Sequence, residues 1–323
     1  MLEQLEQCTI CPHNCKVNRL SGIPGRCKAT DKIKIALVSL HQYEEPCISG
    51  TNGSGTVFFS NCNLNCIYCQ NYEISQQGKG YFISIDELAN IFLEQQANNA
   101  HNVNLVTPTM YVYQIIEAIK IAKSKGLSIP IIYNSNGYEN VDTIKILKGY
   151  IDVYLPDLKY FSNDLSLKYS KVDNYFQTAT AAIKEMVSQV GCPTFDENGI
   201  IQKGVIVRHL VLPGHIQNSK HILKWLKENL DGKVYVSIMA QYFPTFKAKK
   251  DSIINRKLTH KEYKEIEKYL FTLNLENGYM QELGDHEEEY VPDFNIWQFS
   301  SIIVLFIYIN KRSKLDVWKK ERW

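Results

Sequence analysis

Short apolar runs alternate with amphipathic stretches between Thr56 and Ala240, and this alternation constrains the fold more than any other feature. Six runs predict strands, namely TVFFS, NVNLVTPT, IPIIYNSNGY, IDVYLPDLKY, VIVRHLVLPGH and KVYVSIMAQ. Strands that alternate with helices indicate βαβ units and a parallel sheet. Because a full barrel has eight strands, six predict an α/β fold of the open or partial (β/α)6 barrel type. Functional groups are then expected at the carboxyl ends of the strands.

The regions outside this pattern have a different composition. Residues 1–50 are rich in Cys, Gly, Pro and charge and predict a Cys-rich extension ahead of a barrel at 51–295. The tail at 296–323 contains the apolar run FSSIIVLFIYI at 299–309. This run is shorter than the roughly 20 residues of a membrane-spanning helix, so it predicts a buried strand or helix end, with peripheral membrane contact as the alternative.

The net charge and the cysteine content limit which binding partners and which cellular compartment are expected. The 323 residues are 45% hydrophobic, and 36 basic against 34 acidic residues give a formal charge of +2. This near-neutral balance gives no reason to expect nucleic acid or an anionic membrane. The first residues, MLEQLEQC, hold no apolar signal core, so a reducing cytoplasm is expected. In that compartment, nine clustered cysteines indicate metal sites rather than disulfides.

Three cysteines follow the first predicted strand of the barrel. Cys62, Cys66 and Cys69 lie in SNCNLNCIYCQN, where they are separated by three and two residues. Thiolates favour zinc or an iron–sulfur cluster, and three of them leave one position of a cubane cluster open for a substrate. The alternative is that the cysteines pack as small hydrophobic residues. The interspersed asparagines argue against packing, so this trio predicts a metal site.

The loop CNLNCIYCQN resembles the cluster loop of the radical S-adenosyl-L-methionine (AdoMet, SAM) enzymes. Residues 8–295 resemble uncharacterised members similar to the pyruvate formate-lyase activating enzyme, through CTICPHNCKVNRLSGIPGRC, NLVTPTMYV, YNSNGY, DVYLPDLKY, RHLVLPGH and VSIMAQYFP. The resemblance implies a [4Fe-4S] cluster on Cys62, Cys66 and Cys69, with AdoMet on the fourth iron. An electron would split AdoMet into methionine and a 5′-deoxyadenosyl radical, which abstracts hydrogen.

The resemblance also implies cofactor-binding residues at the strand ends. Thr107 and Thr109 stand where the activating enzymes have a Gly-Gly-Glu turn and would receive the AdoMet ammonium. The further candidates are Tyr68 beside the adenine, Asn134, Ser135 and Asn136 at the ribose, Asp157, Lys159 and Arg208 near the carboxylate, and Gln241 and Tyr242 near the substrate. Loop packing for Tyr68, a turn for the asparagines and a surface ion pair for Asp157 are the structural alternatives.

Four further cysteines lie in the N-terminal extension. Cys8, Cys11, Cys15 and Cys27 could close a metal shell, as in structural zinc or a second iron–sulfur cluster. A reduced, metal-free knuckle is the alternative. Cys47 and Cys192 stand apart from both clusters, and we expect them to pack as ordinary side chains.

The preferred function is radical activation or modification of a partner protein. The alternatives are radical chemistry on a small metabolite and a non-enzymatic iron–sulfur electron carrier. An enzyme of this kind needs a one-electron donor such as flavodoxin or ferredoxin, and an integral membrane span is not expected.

Overall fold

The computed structural model describes residues 1–275, 277–284, 294 and 315–317. The apolar run at 299–309 lies outside the described residues, as does most of the tail at 296–323. No helix in the described part of the chain is long and apolar enough to cross a membrane.

The described strands form one sheet. In chain order they are β1 (Ile33–His41), β2 (Ser54–Phe59), β3 (Tyr81–Ile83), β4 (Val103–Val106), β5 (Ile131–Ser135), β6 (Val153–Pro156), β7 (Thr194–Phe195), β8 (Ile201–Leu210), β9 (Tyr235–Met239), β10 (Gly278–Gln281) and β11 (Leu315–Val317). Their order is β11-β10-β9-β8-β6-β5-β4-β2-β1-β3, and β7 pairs with β8 beside this path. From β2 to β10 all neighbours on the path are parallel.

The described helices lie mainly between the parallel strands. They are α1 (Pro46–Ser49), α2 (Tyr72–Ser75), α3 (Ile85–Ala97), α4 (Val112–Ser124), α5 (Val141–Ile146), α6 (Asn163–Ser170), α7 (Tyr175–Val190), α8 (Ile216–Leu230) and α9 (His260–Leu273). Short 3-10 helices cover Leu2–Gln7, Thr109–Tyr111 and Phe246–Lys250. Ser84 and Glu87 have the spacing of a capping box, and in the structure Ser84 caps α3 by accepting from the Glu87 backbone N–H while the Glu87 side chain reaches back to Ser84.

The parallel α/β architecture is confirmed, with one addition to the predicted strands. All six appear, and β10 adds a further parallel strand next to β9. Its four residues, GYMQ, are too few to show a periodic pattern. The strand β1 pairs antiparallel with β2.

Side-chain alternation gives the curved sheet an inner and an outer face. A small apolar cluster on the inner face joins Ile132, Leu155 and Ile206 to Cys47 and Ile48 of α1. The segment between β1 and β2 therefore packs inside the sheet. This packing buries Cys47, as expected for a packing cysteine. Cys192 is exposed, so the expectation that it packs is wrong.

Candidate functional site

The cysteine loop begins where β2 ends, and its asparagines hold it in shape. Asn61 has a φ of 74°, in the left-handed region that Asn tolerates better than most residues. Its side-chain amide donates to the Tyr111 hydroxyl at 3.1 Å. The Asn63 amide donates to the Tyr138 carbonyl at 2.7 Å. These buried amides therefore have a structural use that accounts for their place beside the cysteines.

Each sulfur of the trio has a polar neighbour. Cys62 Sγ accepts from the Asn136 amide at 3.3 Å. Cys66 Sγ lies 2.9 Å from Ser170 Oγ, and Cys69 Sγ lies 3.2 Å from Ser75 Oγ. These neighbours can donate to sulfur, which suits thiolate ligands.

The three thiols are free and only partly exposed. Burial raises the pKa of Cys69 to about 11 and raises those of Cys62 and Cys66 as well. Without metal they therefore keep their protons at neutral pH, and coordination would remove them. A cubane cluster takes each thiolate on a different iron, so this donor set fits such a cluster.

A buried chain of hydroxyl groups leads away from Cys66. Ser170 Oγ lies 2.6 Å from the Tyr160 hydroxyl, which lies 2.6 Å from the Tyr68 hydroxyl. The Tyr68 ring also packs edge-on against Tyr242. Burial raises the pKa of Tyr68 and Tyr160 well above the ordinary phenol value, so both stay protonated.

Charged side chains cross the inner face beside the loop. Asp157 receives Lys159 Nζ at 2.5 Å and Arg208 Nε at 3.2 Å. Arg208 Nη1 also donates to Glu44 at 3.1 Å, and its Nη2 donates to the Asn134 side-chain oxygen at 2.5 Å. Although burial alone raises the pKa of Asp157, the charges of Lys159 and Arg208 lower it below its ordinary value. Three predicted positions thus form one buried ionic network, together with Glu44.

Glu44 and Glu45 belong to this network, and sequence reasoning missed both. They lie on the segment that packs inside the sheet, just before α1. Burial raises the pKa of each carboxyl, with Arg208 opposing it. Glu45 Oε2 has no hydrogen-bond partner among the described residues. In the sequence these two residues form only an acidic pair directly before Pro46, a pattern that predicts an exposed turn.

The turn after β4 contains Thr107 and Thr109. Thr107 has a φ of 60°, and its N–H donates to the Asn134 carbonyl at 2.9 Å. Thr109 is buried and its hydroxyl donates to Glu139 at 2.6 Å. Burial raises the pKa of Glu139 to about 8. Glu139 was also missed by sequence reasoning, because its partner lies 30 positions away.

The remaining predicted positions have defined contacts. The Asn136 amide binds the cysteine loop, and the Ser135 hydroxyl accepts from the Gly137 N–H at 3.3 Å. The Gln241 carbonyl accepts from Gln70 at 3.0 Å, so the end of β9 also contacts the loop. The Tyr242 hydroxyl donates to a backbone carbonyl at 2.5 Å.

The N-terminal quartet occupies one folded region. Cys8 exchanges backbone hydrogen bonds with the segment after Cys15, and the Cys11 carbonyl closes a tight turn. Burial raises the pKa of the Cys11 and Cys27 thiols, and each is raised further by other members of the quartet. Within the described ranges, no three His, Cys, Asp or Glu side chains gather closely enough to hold a single metal ion.

Arg19 is fully buried beside this quartet. It donates to the Thr30 carbonyl through Nε at 3.0 Å and Nη2 at 2.5 Å, and Nη1 approaches Cys8 Sγ at 3.8 Å. No ion pair joins Arg19 to a carboxylate of the described chain. The Cys8 thiol is therefore a group within contact distance that could balance its charge if it were ionised.

Two cavities open around the site. One of about 230 Å³ lies between the extension and the cysteine loop, and Cys27 and Cys62 both line it. Another of about 540 Å³ lies at the loops after β6 and β8, lined by Phe161, His215 and His221 among others. Neither the cysteines of the trio nor Lys159 line this second cavity, although the Lys159 carbonyl accepts from the lining residue Asn218 at 3.0 Å.

The chain is similar to known proteins along most of its length. The uncharacterized protein MJ0674 of Methanocaldococcus jannaschii is 34% identical over 278 residues, which cover 82% of this chain and 73% of that protein. Streptococcus suis SuiB bound to S-adenosylmethionine has a TM-score of 0.46 at 16% identity, over 74% of this chain and 51% of SuiB.

The hydrogenase maturase HydG of Carboxydothermus hydrogenoformans has a TM-score of 0.46 at 15% identity, over 66% of this chain and 49% of HydG. The chain thus spans about half the length of these two solved proteins. The model of the Radical SAM superfamily matches residues 56–226, from β2 into α8. By this match, which covers more than half of the 323 residues, the chain belongs to the radical SAM superfamily.

Proposed function

We propose that this chain binds a [4Fe-4S] cluster through Cys62, Cys66 and Cys69 and uses it to cleave AdoMet reductively. The observation that carries the proposal is the position of the loop at the carboxyl end of β2, with a polar neighbour at each sulfur. When bound, the cluster supplies one electron that breaks the sulfonium–C5′ bond, giving methionine and a 5′-deoxyadenosyl radical. Superfamily membership supports both cofactors.

The ionic network supports particular roles around AdoMet. Lys159 is near Cys66, since its charge lowers the thiol pKa against the larger effect of burial. We propose that Lys159 contacts the AdoMet carboxylate. Arg208 has three donor nitrogens occupied by Asp157, Glu44 and Asn134, so we assign it to holding the network in place.

The other predicted contacts remain part of the proposal. Thr107 and Thr109 would receive the ammonium, and Asn134 and Asn136 the ribose. Tyr68 would lie toward the adenine. The hydroxyl of Thr109 and the amide of Asn136 already have protein partners, so main-chain carbonyls at these turns are the acceptors left for the AdoMet ammonium.

We further propose that the radical abstracts hydrogen from a partner protein. The two cations of the network, Lys159 and Arg208, are both ion-paired, and three carboxylates accompany them, those of buried Glu44 and Glu45 and that of partly buried Asp157. Because the carboxylates outnumber the cations, this charge distribution disfavours binding of a small acidic metabolite and is compatible with binding of a neutral peptide backbone.

Anaerobic reconstitution tests the cluster and the cleavage. The wild-type protein should take up about four irons and four sulfides at the trio and form 5′-deoxyadenosine from AdoMet after reduction by dithionite. Cys66→Ala should lose both, whereas Cys192→Ala, at an exposed lone cysteine, should keep both. Continued formation of 5′-deoxyadenosine by Cys66→Ala would show that the trio is not the catalytic site.

A second experiment separates a protein substrate from a metabolite. Reduced protein and AdoMet would be incubated anaerobically with extract separated into large and small fractions, one of them deuterated at a time. Deuterium in 5′-deoxyadenosine from the large fraction, with a glycine-centred radical doublet or a modified peptide, supports protein activation. Deuterium from the small fraction alone replaces that role with metabolite chemistry. A bound cluster without any AdoMet cleavage would leave the electron-carrier alternative.

We also propose that Cys8, Cys11, Cys15 and Cys27 hold a second thiolate-bound metal, either an iron–sulfur cluster or zinc, for which the side chains would have to draw closer together than in the structure. Buried Arg19 supports this, because metal-bound thiolates would supply the negative charge that its surroundings lack. Metal analysis of the Cys8→Ser, Cys11→Ser double variant would distinguish zinc loss from iron loss. Equal zinc and iron in variant and wild type would mean a metal-free knuckle. We also propose that a flavodoxin or ferredoxin supplies the electron and that the protein works in a reducing cytoplasm.

A further inference from the structure

Three hydroxyl groups form an uninterrupted hydrogen-bonded chain that ends on one cysteine of the trio. The chain runs from Tyr68 through Tyr160 and Ser170 to Cys66, with steps of 2.6, 2.6 and 2.9 Å. Tyr160 and Ser170 are fully buried, and Tyr68 is 6% exposed. The fold assembles it from the cysteine loop, the turn after β6 and the last residue of α6.

Metal binding would fix the direction of every proton in this chain. A cysteine bound to iron is a thiolate and has no proton to donate, so Ser170 must donate to Cys66. Ser170 has a single hydroxyl proton, so Tyr160 must donate to Ser170. By the same count, Tyr68 must donate to Tyr160. All three O–H dipoles then point toward the sulfur, and each strengthens the next.

We infer that Ser170, Tyr160 and Tyr68 are positioning residues that deliver a reinforced hydrogen bond to the Cys66 sulfur and raise the reduction potential of the cluster. The inference rests on the proposed function, because it needs a cluster at the trio. A hydrogen bond to a ligand sulfur disperses the charge added on reduction, so it stabilises the reduced cluster. Tuning of this kind would make the cluster easier to reduce.

The other two sulfurs provide the contrast. Cys62 receives a backbone N–H and an amide from the Asn136 side chain, and Cys69 lies beside the hydroxyl of Ser75. Cys66 differs because its hydroxyl neighbour is backed by two phenols in line. We therefore expect removal of a distant phenol to change the potential, although Tyr160 and Tyr68 do not touch a sulfur in the hydrogen-bond chain.

The test is a redox titration of the reconstituted protein without AdoMet, followed by electron paramagnetic resonance. Ser170→Ala should shift the midpoint potential most, in the negative direction, Tyr160→Phe less, and Tyr68→Phe least. Tyr242→Phe is the matched control, because its buried ring packs on Tyr68 but its hydroxyl donates outside the chain. Its potential should equal that of the wild type.

Iron and sulfide content and thermal unfolding are measured on every variant. If Tyr160→Phe does not fold, Ser170→Ala and Tyr68→Phe carry the test. Unchanged potentials in variants with full clusters would overturn the hydroxyl chain and leave the proposed function intact. A wild-type trio that takes up no iron would overturn both. In deuterated buffer, double resonance should also detect a coupled deuteron that Ser170→Ala removes.

Discussion

The two cysteine clusters of this chain differ in the polar and charged groups that surround their sulfurs. The trio lies at the strand ends beside Asp157, Lys159 and Arg208, which are paired with one another. Hydroxyl and amide groups contact its sulfurs. The quartet lies in the N-terminal extension beside Arg19, a buried cation that has no carboxylate partner among the described residues. Spacing alone predicts metal for both clusters, and from their different surroundings we propose that the trio is a working site and the quartet a structural one.

The largest expected difference between the clusters is in AdoMet cleavage. Cys66→Ala should lower it by more than the roughly 100-fold typical for loss of an outer partner of a metal ligand. Cys11→Ala should leave it within about threefold at a temperature where the variant is folded, because its site carries no substrate. Both are measured as 5′-deoxyadenosine formed per cluster. Equal losses in the two variants would mean that the quartet takes part in the reaction.

Breaking the ionic network beside the trio should have the next largest effect. Asp157→Asn leaves Lys159 and Arg208 without their shared carboxylate and should lower the free energy of unfolding by about 4 kcal/mol at pH 7. The folded pKa of Asp157 lies below its ordinary value of 3.8, so its stabilisation is present above that pH and is lost as the pH falls further.

Urea unfolding of Asp157→Asn between pH 3 and pH 7 measures this effect. The deficit relative to wild type should shrink as the pH falls below 3.8, because the carboxyl of unfolded wild type then takes up a proton. Asp142→Asn is the control, because the Asp142 side chain is 91% exposed and pairs only with Lys145. A deficit that is independent of pH would assign the loss to packing.

Arg19 offers the sharpest test of the quartet's charge. If the thiols are bound to metal, Arg19→Met removes the counter-charge and should lower the free energy of unfolding by about 3 kcal/mol and lower the metal content. If the thiols are neutral, the same change removes an unpaired buried cation and should be neutral or stabilising. Exposed Arg26→Met, nearby in the same extension, is the control.

Glu139 lies between the two regions, since it binds Thr109 and is near Cys11, and its expected effect is a change of stability with pH. Burial raises the pKa of Glu139 from 4.5 to about 8, so the protonated carboxyl favours the folded state. This contribution to the free energy of unfolding is fully present below pH 4.5 and is lost as the pH rises to about 8. The loss is at most about 1.4 kcal/mol per pH unit. Glu139→Gln cannot ionise and should flatten this slope in thermal or urea unfolding. A slope equal to that of wild type would contradict the assignment.

Local patterns in the sequence determined the architecture and the cysteine loop. The six alternating strands, the helix cap at Ser84 and the spacing of Cys62, Cys66 and Cys69 all depend on neighbours a few positions apart. Such features follow from side-chain periodicity and backbone hydrogen bonding, which a single sequence displays.

Only the tertiary structure decided how the side chains combine. Glu44 meets Arg208 across 164 positions, and Tyr68 meets Tyr160 across 92. Sheet register and the inward packing of the segment before α1 bring these groups together, and neither is visible in local periodicity. A buried charge or hydroxyl needs a partner of suitable geometry, and the fold alone determines which distant residue supplies it.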